Sequence, residues 1–539
     1  MKLFKNQTFV LLALIIFLGF ILRVFNISHN PVALYGDELT IAYDAFSLLK
    51  TGHDQTGEAF PLTFRMGEGR SAGYVYGSIP FIALFGPTEI GVRSLSVLSG
   101  MGIIILVFLL SRFLFNSNVA LVAATLISIN PWALNLSRGG FEANFGLFLM
   151  LLAAYLLVLA SKKGWLYILS ALFFGLAIHT YPTYKLTIPL FLILFLYSFG
   201  VKRTKYAVLG LIVLLAFTFV SVHQTLNAES DARFLKINIF NEDYIKSQVK
   251  LSVAEQREFT TLIDPEMSYF HNQYIQYMYI FTGKYLANFA PDFLFISGDK
   301  NPVHNMTTGG VFYLIEIVTI ILGVMAGYRF SKQSSIFILG WVGLAAIPTA
   351  IVGDPHSLRS SLMLPGLVIL SAMGIVFLYE RKSKFLAAIS TVIVILIFFN
   401  FIIIVERLFF VSPYQYFKFW SLPAKSISHY VNQRKGEYDW VILSDRIDNL
   451  EHAYPLYNKI DPEEVVYQRK NPTILSNSKF KKYDNVYIGF VQEDSLKQFL
   501  NSMKGKGLYI GLKKETDLLE NYTFFDVYTE KFIRKTFDN

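Results

Sequence analysis

The sequence predicts a mainly α-helical polytopic membrane protein with about eleven transmembrane helices and a C-terminal extracytoplasmic α/β domain. Of the 539 residues, 53% are hydrophobic and only 16% are charged, whereas soluble globular proteins average about 25% charged residues. Apolar windows of membrane-spanning length recur as far as residue 410. Beyond that point, short apolar stretches that predict strands alternate with a segment whose apolar residues have helical spacing. This alternation is typical of an α/β domain.

Eleven apolar windows are long enough to cross a bilayer, which takes about 17–25 residues. They lie near residues 8–27, 89–110, 118–136, 143–160, 164–180, 186–201, 205–222, 309–328, 335–352, 361–379 and 385–408. The first window exceeds the apolar region of a signal peptide and lacks a small-residue cleavage site. We therefore expect it to be a retained transmembrane helix.

The connections between the windows alternate in charge. Basic residues fall in every second connection: Lys2 and Lys5, Arg112, Lys162-Lys163, Lys202-Arg203-Lys205, Arg329 and Lys332, and Arg381-Lys382-Lys384. The positive-inside rule assigns these connections to the cytoplasm. An odd number of spans then leaves the N-terminus cytoplasmic and the C-terminal domain outside, in a cell (plasma or inner) membrane. The net charge of +9 is attributed to these loops and not to a nucleic-acid partner.

Two outer segments, residues 28–88 and 223–308, are too long to be unstructured connections. In the first, Asp37–Lys50 has an apolar stripe that predicts a helix lying in the membrane interface, and Gly52 predicts its end. The aromatic segment Tyr269–Phe289 is a second candidate of this kind.

The predicted domains are 1–410, a transmembrane catalytic domain, and 411–539, an extracytoplasmic α/β domain. Within the latter, the stretches Tyr438–Leu443, Tyr483–Ile488 and Gly507–Ile510 are predicted buried strands. Asp494–Met503 has helical spacing.

Ionisable residues collect at the predicted outer ends of the spans: Asp37, Glu38, Arg70, Arg138, Glu142, Lys185, His356 and Arg359. Charged groups near membrane depth are costly and commonly mark functional sites. A catalytic thiol and a thiolate zinc site are excluded because the chain has no cysteine.

Each of these residues also has a purely structural interpretation. Asp37 is placed to cap a helix, or to act as a general base toward a hydroxyl. Arg70 is either an interfacial anchor or a contact to an anionic group. Arg138 and Glu142 form either a structural ion pair or part of a site.

Two of the short outer connections favour phosphate binding. Lys185 breaks the positive-inside trend, which argues for an anionic partner. Arg359 can hold a phosphate through its planar set of donors. His356, three residues earlier, supplies a further donor or titrates near neutral pH, although a single histidine is more often an ordinary hydrogen-bonding residue.

Outer-face cations and a carboxylate pair suit group transfer from a membrane-embedded lipid phosphate. The cations would neutralise the leaving phosphate while a carboxylate deprotonates an incoming hydroxyl. Two alternatives remain open: a transporter or flippase of a lipid-linked or anionic substrate, and a binding or assembly protein that works through its outer domain.

The chain resembles the multi-pass glycosyltransferases of the GT-C class, in particular the bacterial branch related to protein O-mannosyltransferases and the lipid A aminoarabinose transferase. The resemblance covers about residues 8–410. It rests on Gly36-Asp37-Glu38, Phe85–Arg93, Asn130-Pro131-Trp132, Ser137-Arg138, Glu142, Tyr184-Lys185, Phe293-Leu294-Phe295, Gly298-Asp299, His304 and Pro355–Arg359.

The resemblance implies transfer of a monosaccharide from a polyprenyl-phosphate donor to an extracytoplasmic acceptor: a protein hydroxyl, a lipid or an envelope glycan. It implies an inverting displacement with Asp37 as base, Glu38 beside it, and Glu142 as the second acid. It also implies that Arg70, Arg138, Lys185, His356 and Arg359 bind the lipid phosphate.

The chain departs from relatives at two positions. Relatives often carry Asp where this chain has Glu142, and Lys-Pro-Pro where it has Arg70-Ser71-Ala72. Some relatives bind a divalent metal ion, for which Asp37, Glu142 and His304 are the candidate ligands. No cofactor is otherwise expected.

Overall fold

The computed structural model describes residues 2–66, 69–202, 204–227, 238–381, 383–475, 477–519 and 525–529. Its helices are α1 (Lys2–Val24), α2 (Gly36–Thr51), α3 (Gly73–Phe85), α4 (Glu89–Leu114), α5 (Ser117–Ile129), α6 (Pro131–Arg138), α7 (Glu142–Ala160), α8 (Leu166–Ile178), α9 (Tyr184–Phe199), α10 (Lys205–Asn227), α11 (Asp243–Phe259), α12 (Glu266–Phe270), α13 (Gln273–Ala287), α14 (Glu316–Phe330), α15 (Lys332–Ala345), α16 (Ile347–Val352), α17 (Met363–Tyr379), α18 (Lys384–Glu406), α19 (Ser412–Gln415), α20 (Leu422–Arg434), α21 (Leu450–Tyr457), α22 (Pro462–Lys470), α23 (Glu493–Ser502) and α24 (Lys513–Thr516). The strands are β1 (Thr63–Phe64), β2 (Arg70–Ser71), β3 (Trp440–Ser444), β4 (Thr473–Leu475), β5 (Ser478–Tyr483), β6 (Val486–Gly489), β7 (Gly507–Gly511) and β8 (Phe525–Thr529). Part of the predicted outer segment 223–308, and the basic residues Arg203 and Lys382, lie outside the described residues.

The chain folds into two compact units. The first contains Met1–Phe25 and Ser96–Leu408, and the second contains Asn26–Leu95 and Phe409–Asn539. The segment between α1 and α4 therefore folds with the C-terminal part of the chain. Nothing in the sequence indicated this association.

The protein is a multi-pass membrane protein. Among the described helices, six are long and apolar enough to cross a bilayer, and the pair α5 and α6, bent by 56°, makes a seventh if it is one span. Of the other predicted spans, three coincide with α8, α9 and α17, shorter apolar helices of 10–17 residues. The remaining predicted span overlaps α14, which has 15 residues.

In the first unit, small residues let the helices α14 and α17 approach closely. A side chain added at Gly323 would collide with the carbonyl of Leu370, and one at Gly374 would collide with the carbonyl of Thr319. Close backbone approach of this kind is characteristic of helix pairs in membranes. The hydroxyls of Thr319 and Ser371, 2.7 Å apart, add a buried hydrogen bond to the same interface.

The second unit contains a six-stranded mixed sheet in the order β4-β5-β6-β3-β7-β8. Strand β3 is central and pairs in parallel with both β6 and β7, whereas β4 and β5 are antiparallel. All three predicted strand stretches overlap observed strands, and the predicted helix Asp494–Met503 is α23. The expected C-terminal sheet domain is therefore confirmed. Strands β3 and β7 are buried at every position, which is why each of them reads as a short continuous apolar stretch in the sequence.

A buried ion pair organises the segment between α1 and α2. Arg93, in the first turns of α4, binds both carboxylate oxygens of Glu38 at 2.8 and 3.0 Å. Both side chains are 0% exposed. The remaining donors of Arg93 bind the carbonyls of the loop at Ile27, Pro31 and Ala33, at 2.6–2.9 Å. All five N–H groups of the guanidinium are thereby used.

We predict that Glu38→Gln destabilises the protein. The substitution leaves the Arg93 charge buried without a counter-charge, which typically costs about 3–5 kcal/mol. The free energy of unfolding of the detergent-purified protein measures this loss. The matched control is Glu437→Gln, because Arg434 and Glu437 form a similar two-bond pair with both side chains over 40% exposed. A loss in Glu38→Gln no larger than in this control would contradict the prediction.

Candidate active site

Asp37 lies in the first turn of α2. This helix spans Gly36–Thr51 and ends at Gly52, whose φ of 74° places it in the left-handed region and whose N–H binds the Leu48 carbonyl. Glycine adopts that conformation without strain. The helix and the end predicted from the sequence are both confirmed. An acid at a helix N-terminus is also favoured by the helix dipole.

A buried arginine holds the Asp37 carboxylate by one oxygen. Arg70 donates to Asp37 Oδ1 at 2.6 Å and to the Thr40 hydroxyl at 2.8 Å. The Arg70 side chain is 4% exposed, whereas that of Asp37 is 52% exposed. The pair therefore fixes the carboxylate from the protein side while its other side stays accessible.

A second acid lies on the same helix, buried deeper. Asp44 is 0% exposed and accepts a hydrogen bond from the Gln55 N–H at 3.1 Å. Burial raises the pKa of the Asp44 carboxyl to about 7, against the opposing effects of the Gln55 hydrogen bonds and the Arg70 charge. Asp44 therefore changes charge near neutral pH, and the nearby Arg70 charge favours its ionised form.

The C-terminal part of the chain supports this helix within the second unit. Arg469, on α22, donates to the Gln55 side chain at 2.8 Å, and Gln55 in turn donates to the Thr40 carbonyl at 3.2 Å. The Tyr43 hydroxyl donates to the Ile460 carbonyl at 2.8 Å. These bonds place the Asp37 helix on the C-terminal domain.

In the first unit, Asp299, His304 and His356 form a compact cluster. One oxygen of Asp299 lies 3.9 Å from Nδ1 of each histidine, and the two imidazole centres are 4.6 Å apart. Ser357 fixes this oxygen of Asp299 through its N–H at 2.7 Å and its hydroxyl at 2.8 Å. The cluster thus joins the loop before α14 to the loop before α17.

Burial and neighbouring charge set the protonation of this cluster. Burial lowers the pKa of His356 to about 3, with His304 and Arg359 acting in the same direction and Asp299 against them. Burial raises the pKa of the Asp299 carboxyl, but the two histidines and the N–H groups of Asn301 and Ser357 outweigh it, so that the net pKa is lowered. At neutral pH, His356 is therefore a neutral hydrogen-bonding group near a carboxylate.

The short helix α6 anchors these loops. Asn130 caps it by accepting the Ala133 N–H at 3.1 Å, and Pro131 occupies its first turn, which proline favours. The Trp132 indole then donates to the Ser357 carbonyl at 2.9 Å. The ring of Phe141, just before α7, packs edge-on against His304 at 5.7 Å.

Arg138 closes the end of α1. It is 0% exposed and donates to the carbonyls of Leu22, Arg23 and Phe25 at 2.8, 3.3 and 2.9 Å. The last carbonyls of a helix lack partners within it, so Arg138 satisfies them. Its guanidinium is engaged with backbone at this point.

The predicted site residues divide between the two units. Asp37, Glu38 and Arg70 belong to the second unit. The first unit contains the other predicted site residues: Arg138, Glu142, Lys185, His304, His356 and Arg359. Glu142 begins α7, and Lys185 lies in the first turn of α9.

Sequence reasoning missed the role of Asp299. The available signal was its position in one loop with His304, five residues away, which allows both side chains to reach a common point. Sequence reasoning also did not identify Arg93 as the partner of Glu38, which is 55 residues away. No periodic pattern links residues so far apart.

Comparison with known proteins gives a partial sequence match and a fold. Residues 79–223, less than half of the chain, match the sequence profile of the dolichyl-phosphate-mannose-protein mannosyltransferase family. No curated protein sequence matches the chain.

Three solved structures illustrate the likeness in fold. An oligosaccharyltransferase from Archaeoglobus fulgidus, tethered to an acceptor peptide, is 13% identical with a TM-score of 0.50, over 84% of this chain and 63% of that chain. The Archaeoglobus fulgidus AglB in complex with an inhibitory peptide and a dolichol-phosphate is 13% identical with a TM-score of 0.50, over 84% of this chain and 64% of that chain. ArnT from Cupriavidus metallidurans bound to undecaprenyl phosphate is 13% identical with a TM-score of 0.49, over 84% of this chain and 85% of that chain. The chain therefore spans less than two thirds of the length of these archaeal proteins.

The likeness shows the fold: the chain has the architecture of the archaeal oligosaccharyltransferase structures. In addition, residues 79–223 carry the sequence features of the dolichyl-phosphate-mannose-protein mannosyltransferase family. The resemblance predicted from the sequence is thereby confirmed.

We predict that stability falls as the pH rises through the titration of Asp44. Folding raises the pKa of this carboxyl from 3.8 to about 7, so that between these values the folded protein binds the proton and the unfolded chain does not. The stabilising contribution is complete below pH 3.8 and is lost as the pH rises through about 7. Asp44→Asn, whose amide oxygen can still accept the Gln55 N–H, should raise the melting temperature at pH 8 and have a smaller effect at pH 5.

Thermal unfolding of the purified variants between pH 5 and pH 8 measures this difference. Asp243→Asn is the control, because that carboxylate is fully exposed. An Asp44→Asn variant less stable than the wild type at pH 8 would show that the buried charge is favourable, contrary to the prediction.

Proposed function

We propose that the protein transfers a monosaccharide from a polyprenyl-phosphate donor to an extracytoplasmic acceptor, which is a protein hydroxyl, a lipid or an envelope glycan. The observation that carries the proposal is the Asp37 carboxylate. One of its oxygens is held by a buried guanidinium, and half of its side chain is exposed, at the position where the GT-C resemblance implies the base. A fixed and accessible carboxylate can orient an acceptor hydroxyl and take its proton.

The donor class is supported by the family and by the fold. The name of the matching family specifies dolichyl-phosphate-mannose as the donor. AglB, which shares the fold, is described in complex with a dolichol-phosphate. Both compounds contain a polyprenyl phosphate. A chain of this architecture with a multi-pass membrane domain is suited to a substrate whose carrier is a membrane lipid.

Arg359, His356 and Lys185 are the proposed phosphate-binding groups. Arg359 acts electrostatically on His356, so that a cation and a neutral imidazole stand together in one loop. Arginine presents paired donors that fit a phosphate. Arg70 contributes to the site through Asp37, to which it is bound. Glu38 and Arg138 serve as scaffold, because Arg93 takes both oxygens of Glu38 and Arg138 binds the end of α1.

The proposed reaction is an inverting single displacement. The acceptor oxygen forms a bond to the anomeric carbon while the bond from that carbon to the phosphate oxygen breaks. The electron pair leaves with the polyprenyl phosphate, whose negative charge Arg359 and Lys185 stabilise. The acceptor proton passes to Asp37, and Glu142 is proposed as a second acid in the same reaction.

The proposed topology follows the charge pattern of the connections. About eleven spans place the N-terminus in the cytoplasm and the domain 411–539 outside, with the catalytic functions assigned to residues 1–410. The C-terminal domain is proposed to select the acceptor, since it holds the helix that carries Asp37.

The experiment that tests this function uses purified protein in lipid nanodiscs with a radiolabelled polyprenyl-phosphate sugar. We expect release of polyprenyl phosphate and transfer of the label to an acceptor without any ion gradient. A flippase would instead move the intact lipid between the leaflets of a liposome. Translocation without release would reject the transferase.

We predict that Asp37→Asn lowers the rate of sugar transfer by about 10²–10⁴-fold, which is the usual contribution of a general base. The amide keeps the size of the side chain but cannot take the proton. Membrane insertion should remain that of the wild type. Any fall in melting temperature should be smaller than in Glu38→Gln, because Arg70 is buried but the Asp37 side chain is 52% exposed, whereas Glu38 and Arg93 are both fully buried. Glu58→Gln, which removes another partly exposed carboxylate of the same unit, is the matched control and should transfer at the wild-type rate.

We predict that Arg359→Ala raises the KM for the donor by about tenfold or more, because a charge-assisted hydrogen bond is worth about 1.5–3 kcal/mol. Steady-state kinetics at saturating acceptor give this value, and Lys246→Ala, which removes a surface cation, provides the control. An unchanged KM for the donor would remove Arg359 from the phosphate site.

A further inference from the structure

We propose that Asp299, His304 and His356 bind a divalent transition-metal ion of the zinc type. Each residue offers one ligand atom, and the three atoms all lie within 4.8 Å of one another. This set differs from the one that the family resemblance implies, since it contains neither Asp37 nor Glu142.

The spacing of the three ligand atoms is close to that of a metal site. At metal–ligand distances of about 2.0–2.1 Å, a tetrahedral zinc ion holds its ligands roughly 3.4 Å apart. The Asp299 oxygen lies 3.9 Å from Nδ1 of each histidine. A contraction of about half an ångström would therefore bring the carboxylate and each imidazole to this spacing. The widest separation in the set, at most 4.8 Å, would have to close by up to about 1.4 Å. Nδ1 of His356 also accepts the Leu358 N–H at 3.3 Å, a long contact that ligation through this nitrogen would replace.

The carboxylate is held in place before any ion binds. Asp299 is 6% exposed, and its two oxygens accept three hydrogen bonds from Asn301 and Ser357 at 2.7–2.9 Å. Hydrogen bonds to a ligating carboxylate are the usual outer support of a metal site. They also fix which oxygen faces the histidines.

The two loops are tied to each other and to a helix. The Ser357 hydroxyl contacts the His304 carbonyl at 3.2 Å, and Trp132 of α6 binds the Ser357 carbonyl. Phe141 packs against the His304 ring. Both histidines are therefore presented from supported backbone, which lowers the entropic cost of binding an ion.

The donor set selects the class of metal. Two imidazoles and one carboxylate suit zinc and neighbouring first-row ions, whereas calcium and magnesium prefer sites built from oxygen ligands. Three protein ligands leave one tetrahedral position open, as in catalytic zinc sites. An anionic oxygen can occupy this position, and Arg359 acts on the same cluster. Binding of the metal itself does not depend on the proposed transferase activity.

The test is zinc binding to the purified protein after removal of metals by a chelator and dialysis. Equilibrium dialysis with radioactive zinc should give one bound ion per chain. Asp299→Asn, His304→Gln and His356→Gln should each weaken zinc binding by about tenfold or more, because each removes a direct ligand and loss of a mere outer partner already costs about 10–100-fold. Zinc should also raise the melting temperature of the wild type and not that of the variants.

The matched control is His271→Gln, a histidine outside this cluster that bonds to Gln256 and Thr260. It should bind zinc as the wild type does. Cobalt, substituted for zinc, should give visible absorption bands that all three cluster variants lose. Variants that lose these bands but keep a cooperative melting transition have lost ligation and not the fold. Absence of stoichiometric binding in the folded wild type, or equal binding in all variants, would overturn the proposal. Either result leaves the Asp37 and Arg359 experiments unaffected.

Discussion

The buried pair of Arg93 and Glu38 is the interaction on which the position of the candidate catalytic acid depends. Two charges withdrawn from water are tolerated only when each finds a full set of partners. Arg93 meets this condition with both oxygens of Glu38 and three loop carbonyls. The guanidinium thereby ties the loop after α1 to the first turn of α2. Asp37 is the residue before Glu38, so these hydrogen bonds also fix the position of its backbone.

Two adjacent carboxylates thus have different tasks because their environments differ. Glu38 is fully buried and both of its oxygens are bound, whereas Asp37 is held from one side and exposed on the other. A similar division applies to the arginines. Arg138 donates hydrogen bonds to three backbone carbonyls, whereas the charge of Arg359 lowers the pKa of His356. A side chain that is hydrogen-bonded on one side and exposed on the other, as Asp37 is, can still contact a substrate, whereas a fully buried one such as Glu38 cannot.

Local features of the fold were predictable from the sequence, and long-range polar contacts were not. Apolar windows of spanning length predict the membrane helices, an apolar stripe predicts α2, and short apolar stretches predict strands β3, β6 and β7. None of these local patterns shows that residues 26–95 fold with residues 409–539, because the composition of neither segment indicates which other segment it packs against. For the same reason, Asp37 and Arg359 were recognised as unusual residues, but the partners of Glu38 and His304 were found only in three dimensions. Loop residues that meet across 50 or more positions, such as Asp299 and Ser357, follow no period.

Hydrogen–deuterium exchange of the peptide that contains residues 27–40 tests the central claim most directly. If the Arg93–Glu38 pair holds this segment, Glu38→Gln should speed exchange across it, while Asp37→Asn, which leaves the pair intact, should exchange as the wild type does. Slow exchange in Glu38→Gln together with fast exchange in Asp37→Asn would mean that the Asp37–Arg70 contact holds the segment instead, and would contradict the account.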